Sequence, residues 1–380
     1  MNRAEINEIK KNLTGDRLSI DRICGCYVDY EKKKKVQFTK AFGQIPEEES
    51  FKYFEIFRST LSGTIGRNLI PLEFPMDQEA TGGAQEFLLT LRDTALKEEE
   101  LVEQFFDRVI ENYIEPENYY IVLVHGVYDV PGITKDRIMN DDASDAVYDF
   151  ILCSICPVKL SKAGLSYIAE EKMIMQRIRD WVVDPPVKGF LFPSFMDRTD
   201  DIHHTLYFTK KPDDVQPGLV DALFGAQAPL SAPEQKETFQ TIVAETIGED
   251  GDLSVVKNIH EMLSEMVIGN ADNPEPLMIG KQEMRQLLED AGVTPEKMER
   301  FDTAYENAVE SDDEPLLVTN VSDVKKLSIE TPNVVIRVKP DRADLVMPRI
   351  IDGRECLIIA VDDHVEVNGI NVRTIFKKQA

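Results

Sequence analysis

Cysteine is scarce in this chain, with five in 380 residues. An odd number scattered over such a length excludes the dense disulfide framework of a small secreted domain and leaves reduced thiols as the expectation. Long apolar runs are lacking too. No stretch approaches the ~18–20 consecutive apolar residues of a bilayer-spanning helix. The opening MNRAEINEIKKNL has no apolar segment of a secretory leader, so a cytoplasmic location without membrane contact is expected. Basic charge is outnumbered: 43 Lys and Arg face 69 Asp and Glu, for a net charge of −26. Contact with polyphosphate would begin against like-charge repulsion, and direct nucleic-acid binding is not expected.

Several catalytic signatures are absent as well. Gly63-Thr64-Ile65-Gly66-Arg67-Asn68 lacks the Lys-Ser/Thr pair of a phosphate-binding P-loop, and neither GxSxG nor GxGxxG occurs. His260-Glu261 begins like the zinc motif HExxH, but Ser264 stands at its second ligand position. That motif needs both imidazoles on one helical face.

What is present reads as globular α+β. Apolar residues make up 42% and charged residues 29% of the chain, and the length allows two or three domains. The acid is concentrated in two blocks, with 5 basic against 19 acidic residues in 71–150 and 6 against 22 in 221–320. Both blocks carry helical periodicity, so most of this charge reads as the solvated faces of helices. The spacing predicts helices over 2–13, 47–62 and 82–113, the last as a pair. In the second of these, Phe51, Phe54, Phe57 and Leu61 are expected on one core face.

Strands are expected at 22–28, 119–124, 146–156, 165–169, 189–195 and 202–209. Their short connections favour antiparallel neighbours. Four prolines between 211 and 235 mark a composition break. The expected organisation is an N-terminal α+β domain over 1–211, a Pro-rich linker over 212–235 and a C-terminal α+β domain over 236–380. In this last part, 239–247 reads as a strand, 253–267, 281–291 and 295–309 as helices, and the end as short strands from 316 onward. Asp352-Gly353 and Asn368-Gly369 read as hairpin turns.

The densest polar constellation is Asp197, Arg198, Thr199, Asp200, Asp201, Ile202, His203 and His204. Carboxylate and imidazole together can hold a divalent ion and acidify its water. Asp197, Asp200, Asp201, His203 and His204 are therefore the candidate metal ligands, and Arg198 is the candidate anion-binding residue. Strand parity would let one ion use only one of the two histidines. The two aspartates read equally as turn formers, with Arg198 as a local ion-pair partner. Asp141 and Asp142 are candidates to share a concavity with this cluster. The pairs Cys24/Cys26 and Cys153/Cys156 match a four-thiolate count, but Cys153 and Cys156 fall on opposite strand faces, so buried inert thiols are expected. His125 reads as a hydrogen-bonded core histidine and His364 as a loop residue.

The segments RICGCYVDYEKK, CSICPVKLSKAGLSY, GFLFPSFMDRTDDIHHTLYFTKK and VKPDRADLVMPRIIDGRECLIIAVDDHVEVNGI are distinctive. In them the chain resembles a family of bacterial proteins of about this length, found largely in Gram-positive anaerobes and described as a domain of unknown function. The resemblance spans nearly the whole chain. It implies a cytoplasmic bacterial protein and brings no activity, cofactor or catalytic residue. The expected function is binding or regulation, with a protein or a small molecule as partner. The alternative is a metal-dependent hydrolase built on the 197–204 cluster, which would require a divalent ion.

Overall fold

The computed structural model describes residues 1–13, 18–133, 139–248, 251–271, 273, 275–309, 315–322, 326–361, 365–367 and 370–372, with the side chains at 133, 139–145 and 340–341 excepted. The side chains of Asp141 and Asp142, the residue His364 and the Asn368-Gly369 turn thus lie outside what is described. The chain divides into two compact units, Met1–Glu234 with Pro274–Pro276, and Gln235–Asn273 with Leu277–Ala380.

The first unit begins with helix α1 (Arg3–Asn12). Asn2 caps it: its side chain accepts from the amides of Ala4 and Glu5, while Glu5 accepts from the Asn2 amide, so two otherwise orphaned donors are satisfied reciprocally. Then follow β1 (Leu18–Val28), β2 (Lys34–Ala41), α2 (Glu47–Thr60), β3 (Leu69–Glu73), α3 (Ala84–Asp93), α4 (Glu99–Asn112), β4 (Asn118–Ile133) and β5 (Met139–Leu160). After these come β6 (Leu165–Ile168), β7 (Met173–Gln176), β8 (Trp181–Val183), β9 (Lys188–Phe192), β10 (Ser194–Met196), β11 (Thr199–Asp201), β12 (His204–Thr209) and α5 (Pro217–Phe224).

The main sheet has the order β2-β1-β4-β5-β9-β12-β3, with β8 also paired to β5, and every pairing is antiparallel. Both faces are covered. Cys24, Ile121, Cys153, Phe190 and Tyr207 point to the side packed by α3, α4 and α5. Ile23, Val122, Leu152, Leu191 and Phe208 point to the side packed by α1 and α2. Burial on both faces explains why β4 and β5 read as continuous apolar runs where a half-exposed strand would alternate.

Two details of the first unit differ from expectation. Phe51 is exposed, whereas Phe54 and Phe57 are buried. A spacing of three residues falls about 60° short of a full helical turn, so a 51-54-57 series winds away from the core. Within 212–235, α5 buries Leu219, Val220, Leu223 and Phe224 in the core of the first unit. Gly225 ends the helix in a left-handed conformation at φ 60°, where glycine carries no Cβ penalty.

The second unit takes α6 (Ala232–Ile247) from its residue Gln235 onward, then α7 (Leu253–Gly269), β13 (Met278–Ile279), α8 (Lys281–Asp290), α9 (Pro295–Met298) and α10 (Phe301–Ala308). These are followed by β14 (Leu316–Leu317), α11 (Val318–Val321), β15 (Leu327–Thr331), β16 (Val334–Val338), β17 (Val346–Ile351), β18 (Arg354–Ile359), β19 (Val365–Val367) and β20 (Ile370–Val372). β13 pairs with β14, and the last six strands form three antiparallel hairpins. The Asp352-Gly353 turn has φ of 49° and 73°, as a two-residue hairpin loop requires.

The segment 239–247, expected as a strand, is helical. Phe239, Ile242 and Thr246 are buried at helical spacing, and Ser231 and Glu234 exchange side-chain and backbone bonds of 2.7 and 3.4 Å at the helix start. The expected helix over 295–309 breaks into α9 and α10. The strand expected at 316–318 gives way to a helical turn at Val318.

Candidate functional site

The 197–204 cluster is a hairpin and the turn that follows it. β10 and β11 pair from Ser194–Asp201 to Met196–Thr199, and Asp197 and Arg198 form the two-residue loop with φ of 49° and 63°. A left-handed arginine costs about 1–2 kcal/mol, and here three contacts oppose that cost. Arg198 Nη1 donates to Glu8 Oε1 at 2.9 Å and Oε2 at 3.0 Å, while Nη2 donates to the Pro131 carbonyl at 2.7 Å. The guanidinium proposed for an anion is thus engaged by a carboxylate of α1.

The remaining candidates separate into distinct pairs. Asp200 Oδ2 lies 3.4 Å from Arg92 Nη1. Asp201 Oδ2 lies 2.6 Å from His204 Nδ1, and its Oδ1 accepts from the His203 amide at 3.1 Å. His203 Nδ1 lies 2.6 Å from Glu79 Oε1, and this carboxylate holds the imidazole's pKa above its ordinary value. The Asp197 amide donates to Glu5 Oε1 at 2.9 Å. Asp197, Asp200 and His203 are exposed. Among the described residues no three His, Cys, Asp or Glu side chains converge as ligands of one ion would.

The thiols are likewise dispersed. Cys24 pairs with Leu123 and Leu123 with Cys153, so β4 separates the two cysteines by two strand spacings, about 9–10 Å. A zinc ion with bonds of about 2.3 Å to sulfur cannot bridge that gap. Cys24, Cys26, Cys153 and Cys156 are buried. Burial pushes the first two thiols up to about 11 and the other two well above the ordinary range. His125 is buried with Nδ1 3.1 Å from Asp21 and Nε2 2.6 Å from Asp149.

A cavity of about 460 Å³ lies within the second unit. Phe239, Val243 and Ile247 of α6, Ile259 and Leu263 of α7, and Leu327 of β15 supply apolar wall. Six polar side chains share the lining: Lys236, Gln240, His260, Ser322, Lys326 and Ser328. Nδ1 of His260 and Oγ of Ser322 are buried and make no hydrogen bond to any described residue. A buried polar atom without a partner costs about 1–3 kcal/mol.

In the sequence His260 stands out only as half of a zinc motif. Ser264 in fact turns its hydroxyl onto the His260 carbonyl at 2.8 Å. The available signal was its spacing from Val256, Ile259 and Leu263, which sets an ionisable ring along an apolar stripe.

No curated protein and no solved structure matches the chain. No helix among the described residues is long and apolar enough to cross a membrane. A family pattern does match, and it covers residues 1–370, from the first helix through the two-faced sheet and on past the cavity to the last hairpin. The chain therefore belongs to the family described as a domain of unknown function, DUF4317.

Proposed function

We propose that this is a cytoplasmic bacterial binding protein of regulatory type, whose C-terminal unit takes a small organic anion with an apolar body. The cavity carries the reading. Its volume of about 460 Å³ falls in the ~300–1,000 Å³ range of small-molecule sites, and its composition, apolar walls with a few convergent polar groups, is theirs as well. Two lysines on the lining of a chain with net charge −26 favour a carboxylate or phosphate-like head group. His260 and Ser322 place further polar side chains on the same lining. This reading is preferred to a metal-dependent hydrolase because Asp200 is engaged by Arg92, His203 by Glu79, and Asp201 and His204 by each other.

Calorimetric titration with decanoate and decanol, which share an alkyl body, tests it. Decanoate should bind saturably to the full chain and more tightly than decanol. Lys236→Ala/Lys326→Ala and His260→Ala should each weaken decanoate binding by about tenfold, equivalent to ~1.4 kcal/mol, with little change for decanol. No saturable binding of decanoate, or binding indifferent to these variants, would overturn the proposal.

A further inference from the structure

Beyond Leu160 the first unit extends an arm. The chain leaves β5, forms the β6–β7 hairpin and returns through β8, which pairs with the end of β5. Leu165, Tyr167, Met173, Ile174, Ile178 and Trp181 of this arm are 57% to 78% exposed. The pairing of Tyr167 with Ile174 and of Leu165 with Gln176 places Leu165, Tyr167 and Ile174 on one face, since directly opposed residues of an antiparallel pair share a side. Met173 and Met175 occupy the other face. With large side chains contributing about 150–250 Å² each, Leu165, Tyr167 and Ile174 present on the order of 400 Å² of apolar surface on that one face, the size of the largest patch on an ordinary monomer.

We infer that this arm is a homodimer contact, in which the β6–β7 hairpin of one chain packs against the same hairpin of a second copy. Two observations select that partner. A lone two-stranded hairpin is marginal in water, so a second hairpin on its apolar face supplies the burial it lacks. Charge decides between a copy of this chain and other apolar surfaces. Residues 161–184 carry four basic and four acidic side chains, so the arm is neutral in a strongly acidic chain, and two copies meet there without net repulsion.

The charges also sort along the arm. Glu170, Glu171 and Lys172 at the tip sum to −1, while Lys162, Arg177, Arg179, Asp180 and Asp184 toward the base sum to +1. A two-fold antiparallel arrangement sets each tip against the partner's base, and the same patch then serves both chains, as a closed two-fold interface requires. This inference is independent of the cavity.

Sedimentation equilibrium of the full chain tests it. The wild type should sediment at twice the 43.1 kDa chain mass, and Tyr167→Asp/Ile174→Asp should be monomeric with an unchanged far-UV spectrum. Glu170→Lys/Glu171→Lys should raise the dimer Kd about tenfold, equivalent to ~1.4 kcal/mol. Adding Lys162→Glu/Arg177→Glu should restore it. A wild-type monomer at 100 µM, a dimer indifferent to Tyr167→Asp/Ile174→Asp, or charge reversal without rescue would overturn the assignment. So would a monomer that binds phosphatidylcholine vesicles through Ile174, which would make the arm a membrane contact.

Discussion

Replacing Phe224 by alanine removes a ring that holds α5 in the core of the first unit. The side chain is 0% exposed, and its ring lies 5.2 Å from Phe190, 6.0 Å from Phe74 and 6.2 Å from Tyr207 between centroids, edge-on to all three. Deleting a buried Phe side chain costs about 3–5 kcal/mol, because the transfer loss adds to that of a cavity the neighbours only partly fill. The three edge contacts place Phe224→Ala toward the upper half of that range. With a urea slope of about 2–3 kcal/mol/M, the midpoint should fall by roughly 1.3–2.5 M.

The assay must isolate the first unit, since two units need not unfold as one. Trp181, the only tryptophan, belongs to the first unit and pairs with Leu160 at the end of β5. Its fluorescence, read at one fixed protein concentration, follows that unit alone. A residue in a solvated linker would shift stability by no more than about 0.5 kcal/mol. A midpoint unchanged within that limit would refute the packing of α5 and return 212–235 to the linker read from its prolines.

The thiols provide a chemical counterpart: with four cysteines buried and their pKa values pushed up, a disulfide reagent at pH 8 should modify Cys356 alone in the native chain and all five in denaturant. Two or more fast thiols would contradict that burial. The Cε1 proton resonance of His203 should titrate above the ordinary histidine value of about 6.5, and Glu79→Gln should lower its midpoint. The stability this pair contributes is complete below the unfolded value and is lost as pH rises through the raised folded value; an unmoved midpoint in Glu79→Gln would remove Glu79 as the cause. Raising ionic strength from 0.1 to 1 M shortens the screening length from about 10 to 3 Å, so decanoate binding should weaken and the dimer Kd penalty of Glu170→Lys/Glu171→Lys should shrink. A salt-independent decanoate affinity by calorimetry, or an undiminished penalty by sedimentation, would contradict the charge arguments behind the two contacts.

Much of the fold is legible in the sequence because local pattern and tertiary role coincide. The apolar runs of β4 and β5 announce strands covered on both faces, and the stripes of α3 and α4 announce the helices that cover one of them. Where the fold departs from the local pattern, a specific competing signal is present in the sequence. The β-branched residues of 239–247 suggest a strand, yet Ser231-Ala232-Pro233-Glu234 is a helix start with Glu three residues after Ser, and the apolar positions continue from it at helical period. The prolines around α5 suggest a linker, but Pro217 stands at the first helical position, where its missing amide costs nothing.

The candidate sites follow a different logic. The 197–204 cluster stands out in sequence because its ionisable residues are contiguous, yet contiguity on a hairpin spreads side chains outward: Arg198, Asp200 and His203 find Glu8, Arg92 and Glu79, each more than a hundred residues away, while Asp201 and His204 pair with each other. The cavity has the reverse character. Lys236, His260, Ser322 and Lys326 are spaced so widely that no motif joins them, and they meet because α6 and α7 lie against the chain entering β15. Charge links what local pattern leaves apart. At −26, the chain repels most anions and second copies of itself, so contacts of either kind should form where that average is locally broken. The lysines at the cavity and the neutral apolar arm are two such places, both visible only once the acidic helical faces have been assigned to solvent.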